Sequence, residues 1–190
     1  MPQRNLREQL VEGGFRVLYE KGYHAASVND IVAAAGVPKG SFYNHFESKE
    51  ALALEVTRRY GKGYDLERLA HGDGPPLARL HAFFEDIVAR NTGRGVEYGC
   101  LLGNFSTELA THSGPIRELV AGSLEAWSGA VSEALRQAQA AGELDASLDA
   151  ARLGPYIVDA YEGAVARAKV SGDRAPLDRL LAATFEQLLA

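Results

Sequence analysis

Sulfur is scarce in this chain, whose 190 residues contain one cysteine and one methionine. One cysteine excludes an internal disulfide framework and any all-cysteine metal site. The five histidines, His24, His45, His71, His81 and His112, show neither metal-ligand nor catalytic-triad spacing. No glycine-rich nucleotide loop is present, so no cofactor or metal is implied. No apolar run approaches the ~20 residues of a transmembrane helix, and no N-terminal apolar run of signal-peptide type appears. The expectation is a soluble cytoplasmic protein with no membrane partner. A basic excess is also missing, the net charge being −5. Residues 1–49 hold six Lys/Arg against five Asp/Glu, whereas residues 50–190 hold fourteen against twenty. Any attraction for a polyanion must therefore come from locally placed cations such as Arg4, Lys39 and Lys49.

Helical periodicity is what the chain does have. Leu6, Leu10, Gly14, Phe15, Val17 and Leu18 form one apolar face from about residue 4 to Glu20, closed by Gly22. Ser27 followed by Asp30 has capping-box spacing, and Ile31–Ala35 makes a short apolar helix ended by Gly36. Pro38 suits the first turn of a next helix of about two turns. That helix carries Lys39, Ser41, Tyr43, Asn44 and His45, with Phe42 and Phe46 one turn apart to anchor it. An element so polar is a poor core helix and a good reading head for the DNA major groove. Ser48 caps a fourth helix, expected to run past Tyr64 towards Leu69 although Gly61 and Gly63 weaken it. The loop His71–Pro76 follows. Five further helices are expected over about 77–91, 100–111, 116–141, 148–170 and 176–189, with Gly154-Pro155 kinking rather than ending its helix. The reading is all-α, around nine helices.

The stretch VPKGSFYNHFESKEAL, with FRVLYEKGYHAASVNDIV upstream, resembles the helix-turn-helix signature of the TetR family of transcriptional regulators. The resemblance implies an N-terminal DNA-binding domain over 1–49 and a C-terminal effector-binding and dimerisation domain over 50–190. It implies a homodimer on a double-stranded, partly palindromic operator, a repressor released by a small-molecule effector. Tyr43, His45 and Lys49 match positions that usually contact operator phosphates. Ser27 would offer its hydroxyl or neighbouring amides to a phosphate. Lys39 and Ser41 match positions near the groove, Gly40 lets the backbone approach, and Val37 and Pro38 face thymine methyls.

A second landmark, EYGCLLGNFSTELA over residues 97–110, resembles a NemR-like Gly-Cys-Leu subgroup of the same family, in which the cysteine of some members senses electrophiles or oxidants. The resemblance places Lys169 where such repressors have a lysine able to approach the cysteine. Cys100 at a helix N-terminus beside an ammonium would be a reactive thiolate. The alternative is an inert Cys100 supporting a pocket for a small, reversible apolar or aromatic ligand. Candidate effector residues are Phe84, Tyr98, Cys100, Phe105, Trp127, Tyr156, Tyr161 and Lys169, with Phe83 and Ile87 beside them. Tyr156 and Tyr161 stand out because a buried phenol needs a partner. Glu108, Asp159 and Glu162 could orient a ligand. Small and apolar residues at close spacing on the last two helices suit a self-complementary dimer interface, which would set two reading heads roughly 34–36 Å apart. A rival class is an all-α enzyme with Cys100 as nucleophile and a histidine base, for which the sequence offers nothing beyond the cysteine.

Overall fold

The computed structural model describes residues 5–190, so Arg4 lies outside the described residues. Among the described residues nine α-helices are formed: α1 Leu6–Lys21, α2 Val28–Ala35, α3 Lys49–Lys62, α4 Leu66–His71, α5 Pro76–Arg94, α6 Leu101–Glu108, α7 Gly114–Ala140, α8 Ala150–Ser171 and α9 Ala175–Ala183. Short 3-10 turns occupy Lys39–Ser41 and Val96–Tyr98, and a π-turn covers Thr184–Leu188. No strand is formed among the described residues. No helix among them is long and apolar enough to cross a membrane, and no group of three or more metal-ligating side chains is brought together.

The number of α-helices matches the expectation for a different reason. The polar reading segment is not an α-helix. Ser41 N–H donates to the Pro38 carbonyl at 2.9 Å, and His45 and Phe46 N–H both donate to the Phe42 carbonyl. Gly40 and Asn44 are weak helix formers, and only Phe42 and Phe46 are buried. Tertiary anchoring at two points therefore replaces a continuous backbone ladder. The fourth predicted helix also divides. Gly63 closes α3, and Asp65 at φ 47° turns the chain before α4 begins. Aspartate tolerates this left-handed conformation, and its side chain accepts the Arg68 amide as a new N-cap.

The chain forms two compact units, and they do not follow a simple cut after residue 49. One contains the residues up to Gly63 together with Asn104–Val120; the other contains Tyr64–Gly103 and Ala121–Ala190. In the first, α1, α2 and α3 bury Leu10, Leu18, Ile31, Phe42 and Leu52. Sheltering these side chains, at about 2 kcal/mol each, is the main force holding so small a unit. In the second, Leu80, Phe84, Ile87, Trp127, Leu135, Ile157 and Tyr161 are buried. Pro155 lies inside α8 without ending it. At Gly154 a Cβ would fall 2.7 Å from the Ser128 carbonyl oxygen, so a side chain there would force α8 away from α7.

Candidate nucleic-acid interface and the buried carboxyl of the second unit

The DNA-facing candidates are set by caps and anchors in the first unit. Ser27 and Asp30 form a reciprocal capping box at α2, and the Ser27 hydroxyl donates to Asp30 Oδ2 at 2.6 Å. Lys21, and then Ser27, hold the Asp30 carboxyl well below the usual carboxylate range. The Ser27 hydroxyl is thus already engaged, and a phosphate at this helix start would have to share it. Gly36 ends α2 in the left-handed region, with Val37 N–H donating to the Val32 carbonyl. Val37 is buried and anchors the turn, so it does not stand out towards thymine methyls. Beyond it Pro38, Lys39, Gly40, Tyr43, Asn44 and His45 are exposed and Ser41 half-exposed. Tyr43 keeps 66% of its surface accessible although its ring meets the buried Phe42 edge-on at 5.2 Å. No heavy atom lies within 4 Å of a Cβ built on Gly40, which leaves that backbone open to a partner.

Tyr43, Asn44 and His45 also line a surface hollow of about 460 Å³ with Arg7, Glu47, Glu55 and Arg58. The Arg7 guanidinium lies over the Phe46 ring at 5.1 Å and reaches Glu55 at 3.5 Å. Sequence reading missed Arg7 and Arg58 because their approach to the reading segment depends on how α1 and α3 pack around Phe46.

Lys49 has a different setting from the one expected for a phosphate contact. Its ammonium donates at 2.7 Å to both the Tyr23 and Ala26 carbonyls and sits 4.1 Å above the Tyr23 ring. Burial pulls this ammonium below its ordinary value while Glu108 acts in the opposite direction. Lys49 is a strut that fastens the α1–α2 loop to the start of α3.

Glu108 completes the same loop. Its Oε2 accepts the Tyr23 amide at 2.7 Å and the His24 amide at 3.2 Å. The His24 ring Nε2 lies 3.3 Å from the Glu108 carbonyl oxygen. Gly22, at φ 77°, leaves the space that the carboxylate fills, since a Cβ there would come 2.3 Å from Oε1. Phe105 packs edge-on against Tyr23 at 6.3 Å in this first unit. It thus braces the α1–α2 loop, whereas Phe84, Trp127 and Tyr161 lie in the second unit.

In the second unit Phe84, Trp127 and Tyr161 do come together. Trp127 stacks on Phe84 at 6.1 Å and meets Tyr161 at 5.2 Å, and the Tyr161 hydroxyl accepts from Asn91 Nδ2 at 2.6 Å. Tyr64, which sequence reading placed mid-helix, stacks on Trp127 at 4.9 Å, and its hydroxyl lies 3.6 Å from Cys100 Sγ. Tyr98 is half-buried in the 3-10 turn before Cys100. Tyr156 is corrected: it is 59% exposed, because Ile157, Val158 and Tyr161 take the inward face of α8. It stands instead on an outer stripe with Gly163 and Val170.

Cys100 is 2% exposed. Its thiol donates to Glu162, a carboxyl raised from its ordinary 4.5 to about 7 by burial, with Asp159 adding to the rise. A carboxyl accepting the thiol proton is the opposite of the cationic setting expected for a reactive thiolate. Lys169 is exposed in the last turn of α8.

Comparison with known proteins agrees with this geometry. Residues 10–56 match the family described as bacterial regulatory proteins, tetR family, and residues 76–184 match the tetracyclin repressor-like C-terminal domain. The chain is 38% identical over its whole length, and over 95% of the relative's, to the HTH-type transcriptional repressor DhaR of Mycobacterium sp. (strain GP1). A crystal structure of the regulatory protein TetR from Rhodobacter sphaeroides superposes with a TM-score of 0.88 at 34% identity, covering 97% of this chain and 99% of that one. The reduced form of Escherichia coli NemR gives 0.83 at 25% identity, covering 98% of each chain. A reading segment held out on two buried phenylalanines, matched along the whole chain to such regulators, leads to one conclusion: the protein belongs to the TetR family and is a DNA-binding transcriptional regulator of that type.

Proposed function

We propose that this chain is a cytoplasmic, homodimeric repressor that holds a palindromic operator and releases it when a small effector binds its second unit. The observation that carries the DNA-binding part is the exposed run Pro38–His45 seated on buried Phe42 and Phe46. Lys39, Tyr43 and His45 supply phosphate contacts, Pro38, Gly40 and Ser41 approach the base edges, and Ser27 lies at a phosphate-seeking helix start. Lys49 works indirectly, by holding the loop that presents α2. The outer stripe of α8, with Tyr156, Gly163 and Val170, forms the subunit interface together with α9.

For the effector, a reversible ligand is the better reading. Cys100 is buried and its thiol is spent on Glu162. Phe84, Tyr98, Trp127 and Tyr161 then line the ligand site, Cys100 supports it, and Lys169 lies outside it. Nothing in this arrangement supplies an enzyme's nucleophile and base.

An operator selected from random DNA tests the reading. Tyr43→Phe and Lys39→Ala should each weaken binding on all sequences alike, and Lys39→Ala should lower the salt slope by about one ion. Unchanged affinity in both variants refutes the interface. Release of wild type but not Cys100→Ser by N-ethylmaleimide would restore the thiol-sensor alternative.

A further inference from the structure

The second unit leaves one buried carboxyl without a cationic partner. Glu162 on α8 is half-buried, and its Oε1 is shut off from solvent with no hydrogen-bond partner. Oε2 faces Gly103, where a Cβ would fall only 2.4 Å away, so that glycine makes the room the carboxyl uses. The groups that act on its charge are Cys100, which donates to it, and Asp159, a like charge one turn earlier. Neither is a cation. A buried carboxylate kept for structure normally meets an arginine or lysine, because an uncompensated charge in the interior is costly.

A second orphan lies along the same run of contacts. Trp127 is 1% exposed and its Nε1–H has no acceptor. Its ring stacks on Tyr64, whose hydroxyl meets Cys100, whose thiol meets Glu162. Buried polar atoms are nearly always paired, and two unpaired in one cluster mark a place where a missing molecule supplies the partners. The chemistry of that molecule follows from the sign of the site. An anion would be repelled by Glu162 and Asp159. A neutral alcohol could donate to Oε1 but would leave the charge uncompensated. An ammonium group donates to Oε1 and balances the charge, while the ring faces of Trp127 and Tyr64 are already taken by each other, by Phe84 and by the Arg90 guanidinium 5.9 Å above Tyr64.

Resting on the effector reading above, we propose that Glu162 anchors the effector and that the effector is a small ammonium compound with an apolar body. The test uses the full-length protein with three probes of one shape: benzylamine, benzyl alcohol and benzoate. Thermal unfolding without DNA reads the ligand site, and occupancy of the selected operator reads regulation. Benzylamine should raise the Tm and empty the operator at a concentration at least tenfold below that of benzyl alcohol, with benzoate inert. Glu162→Gln should raise the benzylamine half-point at least tenfold while keeping operator binding. Equal or better action by benzyl alcohol or benzoate overturns the proposal, as does a wild type indifferent to benzylamine. A folded Glu162→Gln protein with an unchanged response overturns it too. If Glu162→Gln fails to fold, the order of the three probes on wild type decides. A raised Tm with the operator still occupied supports the ammonium site and overturns the effector reading instead.

Discussion

Replacing Glu108 by alanine should loosen the reading head although this residue stands outside the recognition motif. Its carboxylate accepts two amides from the α1–α2 loop, Tyr23 at 2.7 Å and His24 at 3.2 Å. A hydrogen bond to a charged acceptor contributes about 1.5–3 kcal/mol. His24 is exposed and its bond is longer, so the pair together should contribute about 2 kcal/mol. Urea unfolding of Glu108→Ala should show that loss in the midpoint with an unchanged m value. Because 1.4 kcal/mol is a factor of ten, the docked loop can lose at most about thirtyfold in population, and operator affinity can fall by no more than that. The slope of affinity against salt should stay the same, because no phosphate contact is removed. Gly22→Ala should produce the same defect by putting a Cβ where Oε1 sits, at a positive φ that alanine resists. The two changes should be strongly non-additive in a double-mutant cycle, since each destroys the same seat. A stability change under 0.5 kcal/mol, a shifted salt slope, or full additivity would refute the latch.

Lys49→Met should cost about 2–3 kcal/mol in urea unfolding, since it orphans the Tyr23 and Ala26 carbonyls, and it should leave the salt slope of any remaining operator binding almost intact. Glu162 should make stability fall as pH rises. Its folded value is raised from 4.5 to about 7, so the folded state holds this proton more tightly than the unfolded chain. That stabilisation is complete below pH 4.5 and is lost as pH climbs through about 7, amounting to roughly 3 kcal/mol at most. Chemical denaturation from pH 5 to 8 should show the decline in wild type and a flatter profile in Glu162→Gln; parallel profiles would falsify the assignment.

Local chemistry explains why parts of this molecule could be read directly from its sequence. Ser27, Asp30, Gly36 and Ser48 act within one helical turn of themselves, and each caps the helix expected of it. Phe42 and Phe46 announced a two-point anchor, and they are buried as a pair. The segment between them is not the helix the spacing predicts, because an i, i+4 pair fits an α-turn whether or not the ladder continues. Longer-range matters were hidden. Periodicity gives Tyr156 and Tyr161 similar standing on α8, yet one faces out and the other is buried. Phe105 and Phe84 look alike as core aromatics but serve different units. Periodicity gave Glu108, Asp159 and Glu162 equal standing as acids able to orient a ligand, and only the packing against Gly103 sets Glu162 apart. Lys49 carried a family expectation of touching phosphate, and only the folded loop shows that its ammonium donates to the Tyr23 and Ala26 carbonyls.

Residues 104–120 belong to the first unit, and this changes how the protein can be made and cut. On the ribosome, α1, α2 and α3 emerge long before Phe105, Glu108 and Ser113, which brace Tyr23, His24 and Glu50. The reading head must wait, incomplete, while the forty residues Tyr64–Gly103 of the other unit are synthesised. A fragment ending near Gly63 would carry the whole recognition motif without its braces, and grafting that fragment onto a foreign body would transplant a motif rather than a working domain.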